Sequence, residues 1–414
     1  MTYQSVINKS VFIYLLLVFF PARIFITDSS YIEIFPFVFL LFNIFMYILR
    51  GKFALFNARD LDTIIIIAII VYSIFSAIFG TFMFLGEWLS ILQSLAASIM
   101  LVSLFFVSKN LNNYWNFDQI IKITIYGSLL LLLYLAINYY FSPQFYIEGV
   151  RGRTMNQRGG LYMSFIFIFS IWGILHLKEG FIQKIVFLST FFLSFYYLIF
   201  SYSIGAYLLL IVIFLSLSIT YIKSFKYLIY FLLITLLLSF LFFQFNENTH
   251  VIQRFSRLTN ILESVKLDHS AYERWLIWSW ISEYLLNNPL ALLFGTGNSI
   301  DAFNVVLLIH DTYEPIYTAE SMYFDIFLRT GMIGLLLQFL VFLRMIQLAI
   351  LNKKHFNYKY LGIYFIIFMI CTIVYNIYEP SLRDRSLGMF FYFLYGYLSN
   401  FHSRINVKSP LIKD

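Results

Sequence analysis

SAYERWLIWSWISEYLLNNPLALLFGTG, residues 270–297, stands within a 74-residue stretch from Asn246 to Ala319, the one long polar interruption in a chain otherwise made of hydrophobic segments. Ser270-Ala-Tyr-Glu273 has the form of a capping box, in which a hydroxyl and a carboxylate three residues apart satisfy the free backbone donors of a helix start. The helix is expected to run through Arg274, Trp275, Ile277, Trp278, Ile281 and Leu285, and to end at Asn287-Asn288-Pro289. Three of the six tryptophans lie in it. Such a helix lies in the membrane interface with its aromatics at headgroup depth, which would hold Arg274 at phosphate height. Gly295-Thr296-Gly297 follows as a tight turn and lacks the soluble strand–turn–helix context of a nucleotide fingerprint. Upstream, Arg254-Phe-Ser-Arg257 begins a shorter helix; downstream, His310 to Glu314 and Glu320 to Tyr323 gather the outer titratable bases.

The chain around this stretch is too apolar for water. Hydrophobic residues make up 61% and charged residues 12% of its 414 positions, and the mean hydropathy is +0.81. A soluble protein needs far more polar surface. Since a bilayer core takes roughly 20 apolar residues per helix, about twelve spans are expected. They lie near Val11–Thr27, Tyr31–Leu49, Leu61–Met83, Trp88–Val107, Gln119–Tyr140, Gly160–His176, Ile182–Phe200, Ile204–Tyr221, Phe225–Phe245, Met322–Phe342, Tyr358–Tyr378 and Ser386–His402. The expected fold is all-α: a polytopic integral membrane protein with one large outer, periplasmic helical loop. Residues 1–245 would hold spans one to nine with an arginine-rich outer loop at 141–159, residues 246–319 the large loop, and residues 320–414 the last three spans and a cytoplasmic tail. The first span reads as a retained anchor. The 50 phenylalanines and 32 tyrosines read as lipid-facing and interfacial bulk. One cysteine, Cys371, allows no disulfide and no cysteine metal cluster within the chain.

Lysine resists translocation, and its distribution places both termini in the cytoplasm. Eleven of the 28 basic residues then fall on the outer half, and ten of those eleven are arginine. Arginine offers a planar fork of donors that matches phosphate oxygens two at a time. Three outer clusters carry it: Arg151, Arg153 and Arg158 among glycines; Arg254, Arg257 and Arg274; and Arg383 with Arg385. The alternative for each is a lipid headgroup or a local carboxylate such as Asp384. Arg329 lies two turns inside the tenth span, where a buried arginine is read as functional. Glu320 opens that span, as a base for a sugar hydroxyl or as a carboxylate steadied by the helix dipole. His310 is the second candidate base.

Arg254…Arg274-Trp275…Asn288-Pro289-Leu290…Phe294-Gly295-Thr296-Gly297…Glu320-Ser321-Met322-Tyr323…Gly331-Met-Ile-Gly334 resembles the O-antigen polymerase and ligase superfamily. Ligases of that superfamily place a histidine just before the Gly-x-x-Gly helix, where this chain has Glu320. The nearest histidine, His310, stands ten residues earlier, so the resemblance favours a polymerase. Ser203-Ile204-Gly205-Ala206 stands where many members have Ser-Arg-Gly-Ala.

The resemblance implies an inverting, metal-independent glycosyl transfer between undecaprenyl-pyrophosphate-linked oligosaccharides on the outer face of a bacterial inner membrane. Arg151, Arg153, Arg158, Arg254, Arg257, Arg329, Arg383 and Arg385 would bind the pyrophosphate. Arg274 would act at the reacting centre with Glu320 or His310 as base. No cofactor and no nucleic acid are implied. The expected partners are the lipid-linked substrates, membrane lipids, a chain-length regulator and a flippase. A ligase and a lipid-linked oligosaccharide flippase are the alternative functions.

Overall fold

The structure, a computed structural model, describes residues 60–83, 91, 104–106, 108–109, 117–141, 159–178, 180–200, 204–221, 269–297, 321–351, 360–378 and 385–408. Among these residues all regular structure is helical. In chain order the helices are α1 (Leu61–Met83), α2 (Phe117–Phe141), α3 (Gly159–His176), α4 (Phe181–Phe200) and α5 (Ile204–Tyr221), then α6 (His269–Asn287), α7 (Pro289–Phe294), α8 (Met322–Leu351), α9 (Leu361–Tyr378) and α10 (Arg385–Lys408). Hydrocarbon offers no partner for a backbone N–H or C=O, so a spanning segment must satisfy them internally, and a helix does so. Leu61–Met83, Phe181–Leu198 and Met322–Leu351 are long and apolar enough to cross a membrane. Gly160–His176, Gly205–Thr220 and Leu361–Ile377 are shorter apolar helices.

The expected third and eighth spans coincide with α1 and α5. The tenth runs past Phe342 to Leu351 and the twelfth past His402 to Lys408. Both extensions take in polar residues that apolar periodicity cannot count, such as Arg344 and Arg404. The first, second and ninth expected spans, and most of the fourth, lie outside the described residues.

Helix α3 is the centre of the bundle. Phe165, Phe167, Phe169 and Trp172 on it are fully buried, and it packs against α2, α4, α5 and α9. Phe165 meets Phe368 of α9 edge-on at 5.0 Å and Phe390 of α10 at 5.3 Å. Phe167 stacks on Phe191 of α4 at 5.0 Å. Many phenylalanines that composition assigns to lipid are therefore core. Lipid tails are as apolar as the residues themselves, so helices associate through close packing, and ring-on-ring contact supplies it.

Charge holds one end of this bundle together. Asp62, 1% exposed at the start of α1, accepts from Arg344 Nε of α8 at 2.6 Å, Ser399 Oγ of α10 at 2.7 Å and Tyr395 OH of α10 at 3.0 Å. One carboxylate thus ties three helices. Beside it Lys109 pairs with Asp60, and its carbonyl accepts from Asn400 of α10. Burial pushes the Asp60 carboxyl up, but the hydrogen bond and charge of Lys109, with Thr63, outweigh it and leave the group below the usual carboxylate range. Lys109 and Arg344, which the charge asymmetry assigns to one side of the membrane, are gathered at one end.

Helices α1 and α8 run antiparallel, because Asp62 meets Arg344 while Ser76 meets Arg329. At 1.5 Å of rise per residue these two contacts lie roughly 20 Å apart along the pair, most of a bilayer core. Removing Asp62 takes the buried carboxylate from half-buried Arg344 and from the Ser399 and Tyr395 hydroxyls, a loss of charge-assisted hydrogen bonds worth about 1.5 to 3 kcal/mol. Asp62→Ala is accordingly expected to lower the melting temperature of the detergent-solubilised protein, and Asp62→Ala/Arg344→Met to recover much of the loss.

Candidate functional site

The site is built around a break in α8. At Gly331 the backbone turns to φ 64° and ψ −169°, a conformation that L side chains rarely adopt. The break interrupts the run of intrahelical bonds and leaves the carbonyls of Leu328, Arg329 and Thr330 in need of donors. At membrane depth water cannot provide them. The protein does. Thr296 donates its N–H to Leu328 O at 2.8 Å, and Gly297 donates to Arg329 O at 3.0 Å. The Thr296 hydroxyl adds a second bond to Leu328 O at 3.0 Å. From α1, Tyr72 OH donates to Thr330 O at 2.7 Å, and the Ser76 hydroxyl is shared between Arg329 O at 2.9 Å and Phe294 O at 3.1 Å.

Gly295-Thr296-Gly297, a weak signal in sequence, is therefore the plug of the broken helix. Asn287 ends α6, Asn288 follows, and Pro289 opens α7, as expected. The turn after α7 then dips beside the middle and upper part of α1, where Phe294 packs against Phe75 and Phe79. A Cβ on Gly295 would stand 2.2 Å from the Arg329 carbonyl oxygen, and one on Gly331 2.3 Å from that of Leu293. Two backbones meet here with no room between them. Part of the stretch expected as an outer loop is thus inserted between spanning helices.

Immediately before the break, Arg329 Nε contacts Asp325 Oδ1 at 3.2 Å, one helical turn away. Both residues are 6% exposed. Arg329 is where the sequence places it, inside the span; Asp325 was missed, although its i, i+4 spacing to Arg329 was visible. The amino-terminal end of α8 is anchored on α9 by Tyr323 OH, which donates to Ile373 O at 2.7 Å, and by Ser321 Oγ, 3.4 Å from Asn376 O.

Helix α6 covers the other side. Trp278 stacks on Phe324 of α8 at 5.1 Å with the planes 8° apart, and Ile281, Tyr284, Leu285, Ala291 and Leu328 form a small apolar cluster beyond it. Half-buried Arg274 stands one turn before Trp278 and so on the same face of α6. Two of the expected anion-binding arginines thus belong to packed neighbours, α6 and α8. The helix begins at His269, one residue before the expected cap. Arg385 opens α10, with only its backbone described. Arg151, Arg153, Arg158, Arg254, Arg257, His310, Glu320 and Arg383 lie outside the described residues.

Together these elements form an all-helical membrane protein with a buried ion pair beside a break in an apolar helix, packed against an aromatic helix that carries a further arginine. Residues 189–339 match the family model described as O-antigen ligase, in keeping with the O-antigen polymerase and ligase superfamily. The match supports activity of the O-antigen ligase or polymerase type. It runs from α4 to just past the break in α8, so it includes the plug, Arg274, Asp325 and Arg329. A comparison with curated proteins gave no match.

Gly295→Ala and Gly331→Ala are each expected to reduce sharply the amount of folded protein recovered from membranes. Gly180→Ala, whose Cβ would meet only Gln183 at 3.6 Å, is the silent control. Tyr72→Phe and Ser76→Ala remove one donor each and should lower stability by about 1 to 3 kcal/mol in thermal unfolding.

Proposed function

We infer that this protein polymerises a surface polysaccharide, joining oligosaccharide repeat units carried on undecaprenyl pyrophosphate at the outer face of a bacterial inner membrane. The observation that carries the reading is the buried Asp325–Arg329 pair beneath the arginine-bearing helix α6, inside the segment that matches the O-antigen ligase family. In this reading the chain has about twelve spans and both termini in the cytoplasm. Its substrates are the lipid-linked oligosaccharides, and a chain-length regulator and a flippase are its protein partners.

The chemistry is a direct displacement. A hydroxyl oxygen of the incoming unit's terminal sugar forms a bond to the anomeric carbon of the growing chain. The bond from that carbon to the diphosphate oxygen breaks, and its electron pair leaves with the diphosphate. The anomeric centre inverts. Glu320 accepts the hydroxyl proton, with His310 as the second candidate. The charge that develops on the diphosphate is met by forked donors: Arg274 at the reacting centre and Arg329 within the span, with Arg151, Arg153, Arg158, Arg254, Arg257, Arg383 and Arg385 around them. Arginines can meet that charge without a metal ion, so the reaction proceeds in chelator.

Glu320, in place of the histidine that ligases set before the Gly-x-x-Gly helix, favours the polymerase over the ligase. Against a flippase stands the Asp62 hub, which ties α1, α8 and α10 by charge at the end roughly 20 Å from Arg329. A carrier that opens alternately to both sides would have to break it.

Deleting the gene separates the three readings by what reaches the cell surface. Loss of a polymerase leaves single repeat units, loss of a flippase leaves none, and loss of a ligase strands polymer on undecaprenyl pyrophosphate. Arg274→Lys and Arg329→Lys keep the charge and lose the fork; each is expected to cut polymerisation about 100-fold in a purified assay. Glu320→Gln should abolish it, and EDTA should leave the wild-type rate unchanged. A metal requirement, or full-length glycan from both arginine variants, would overturn the scheme.

A further inference from the structure

Tyr323 and Phe339 both lie on α8, sixteen positions apart, yet their rings stack at 5.1 Å with the planes 9° apart. Along a straight helix those positions are separated by about 24 Å. They meet because the two arms on either side of Gly331, residues 322–330 and 332–351, fold toward each other at the break. A glycine, with no Cβ to restrict it, does not set the angle between them. Contacts must set it. At the break the first arm is pinned by the plug and by Tyr72 and Ser76. At its other end Tyr323 OH donates to Ile373 O of α9 at 2.7 Å while its ring lies on Phe339; Ser321 Oγ stands farther from its own carbonyl on α9, at 3.4 Å. Phe339 in turn meets Phe342 edge-on at 6.3 Å, and fully buried Phe342 meets Phe391 of α10 at 5.6 Å. One side chain thus braces the first arm against the second arm and α9 and, through two further rings, against α10.

Resting on the reading of α6 and α8 as the frame of the glycosyl transfer, we propose that Tyr323 is a positioning residue that fixes the angle of the broken helix for that reaction. The first arm carries Asp325 and Arg329, and α6 docks on it through the stack of Trp278 on Phe324 and the apolar cluster around Leu328. A pivot about Gly331 displaces the whole arm at once. A misplacement of about 1 Å can cost about 100-fold in a reaction that needs its two substrates in line. A tyrosine that served stability alone would change the amount of folded protein and leave each folded molecule working as before.

The test reads the angle and the rate separately, on the full-length protein in nanodiscs. Spin labels at Phe327→Cys on the first arm and Leu343→Cys on the second, in a Cys371→Ala background, report the distance between the arms. Tyr323→Phe removes the bond to α9, and Phe339→Leu removes the stacked ring. Each should make the distance distribution roughly twice as wide, whereas Phe339→Tyr, which keeps the ring, should leave it narrow. In unlabelled protein supplied with lipid-linked repeat units, Tyr323→Phe and Phe339→Leu should each lower kcat per folded molecule about tenfold, with a smaller change in KM, and Phe339→Tyr should work at the wild-type rate. A distribution that stays narrow in both variants overturns the brace. A wider distribution with an unchanged kcat overturns its part in the reaction. If the wild type forms no polymer from these units, the polymerase reading falls and the role of Tyr323 in that reaction falls with it, while the distances still decide whether the brace exists.

Discussion

A peptide carbonyl at membrane depth must find a donor within the protein. The break at Gly331 exposes three such carbonyls in succession, Leu328, Arg329 and Thr330, and much of the architecture around α8 answers that need. The turn Gly295-Thr296-Gly297 supplies two backbone donors and a hydroxyl, and α1 supplies Tyr72 and Ser76. Insertion of the turn draws α7 in beside α1, and α7 brings α6 with it. The covering helix that carries Arg274 and Trp278 thus lies against α8 as a consequence of backbone satisfaction one turn below.

The same break explains why a charged pair is sited where it is. An unbroken apolar helix has no need of Asp325 or Arg329, and each would cost free energy in hydrocarbon. Where the helix is interrupted and buried under α6 and α7, the surroundings are protein, and the two charges compensate each other across one turn. At the other end of α8, Arg344 is compensated by Asp62 in a hub whose hydroxyl and guanidinium donors come from two helices. The long helix α8 therefore carries one ion pair within itself near the break and a second, shared with its neighbours, far from it. The first pair spans one turn of α8, whereas the second ties three helices together.

Much of this was legible in the residues. Apolar run lengths located α1 and α5 to the residue, Asn287-Asn288-Pro289 marked the junction of α6 and α7, and Arg329 stood out as a cation within a span. Other features were not legible, each for its own reason. Asp325 was overlooked beside a more conspicuous arginine, although their spacing is one helical turn. Arg344 reads as a flanking cation because its partner lies 282 positions away in sequence. The phenylalanines of α3 read as lipid-facing because composition does not distinguish a helix surrounded by helices from one surrounded by lipid. The glycine turn carried little weight because its partner, the broken end of α8, is invisible until Gly331 is seen at positive φ.

By itself the sequence determined that this is a helical membrane protein with an arginine-rich polar stretch, since the length and purity of apolar runs are local properties set by bilayer thickness and backbone satisfaction. Only the tertiary structure decided that part of the polar stretch enters the bundle to heal a broken helix, and that Arg329 is fixed by Asp325 on one side and by Ser76 and Gly297 on the other. Those facts depend on which distant donors reach which freed carbonyls, and no local pattern encodes a pairing between segments that meet only when the chain is folded.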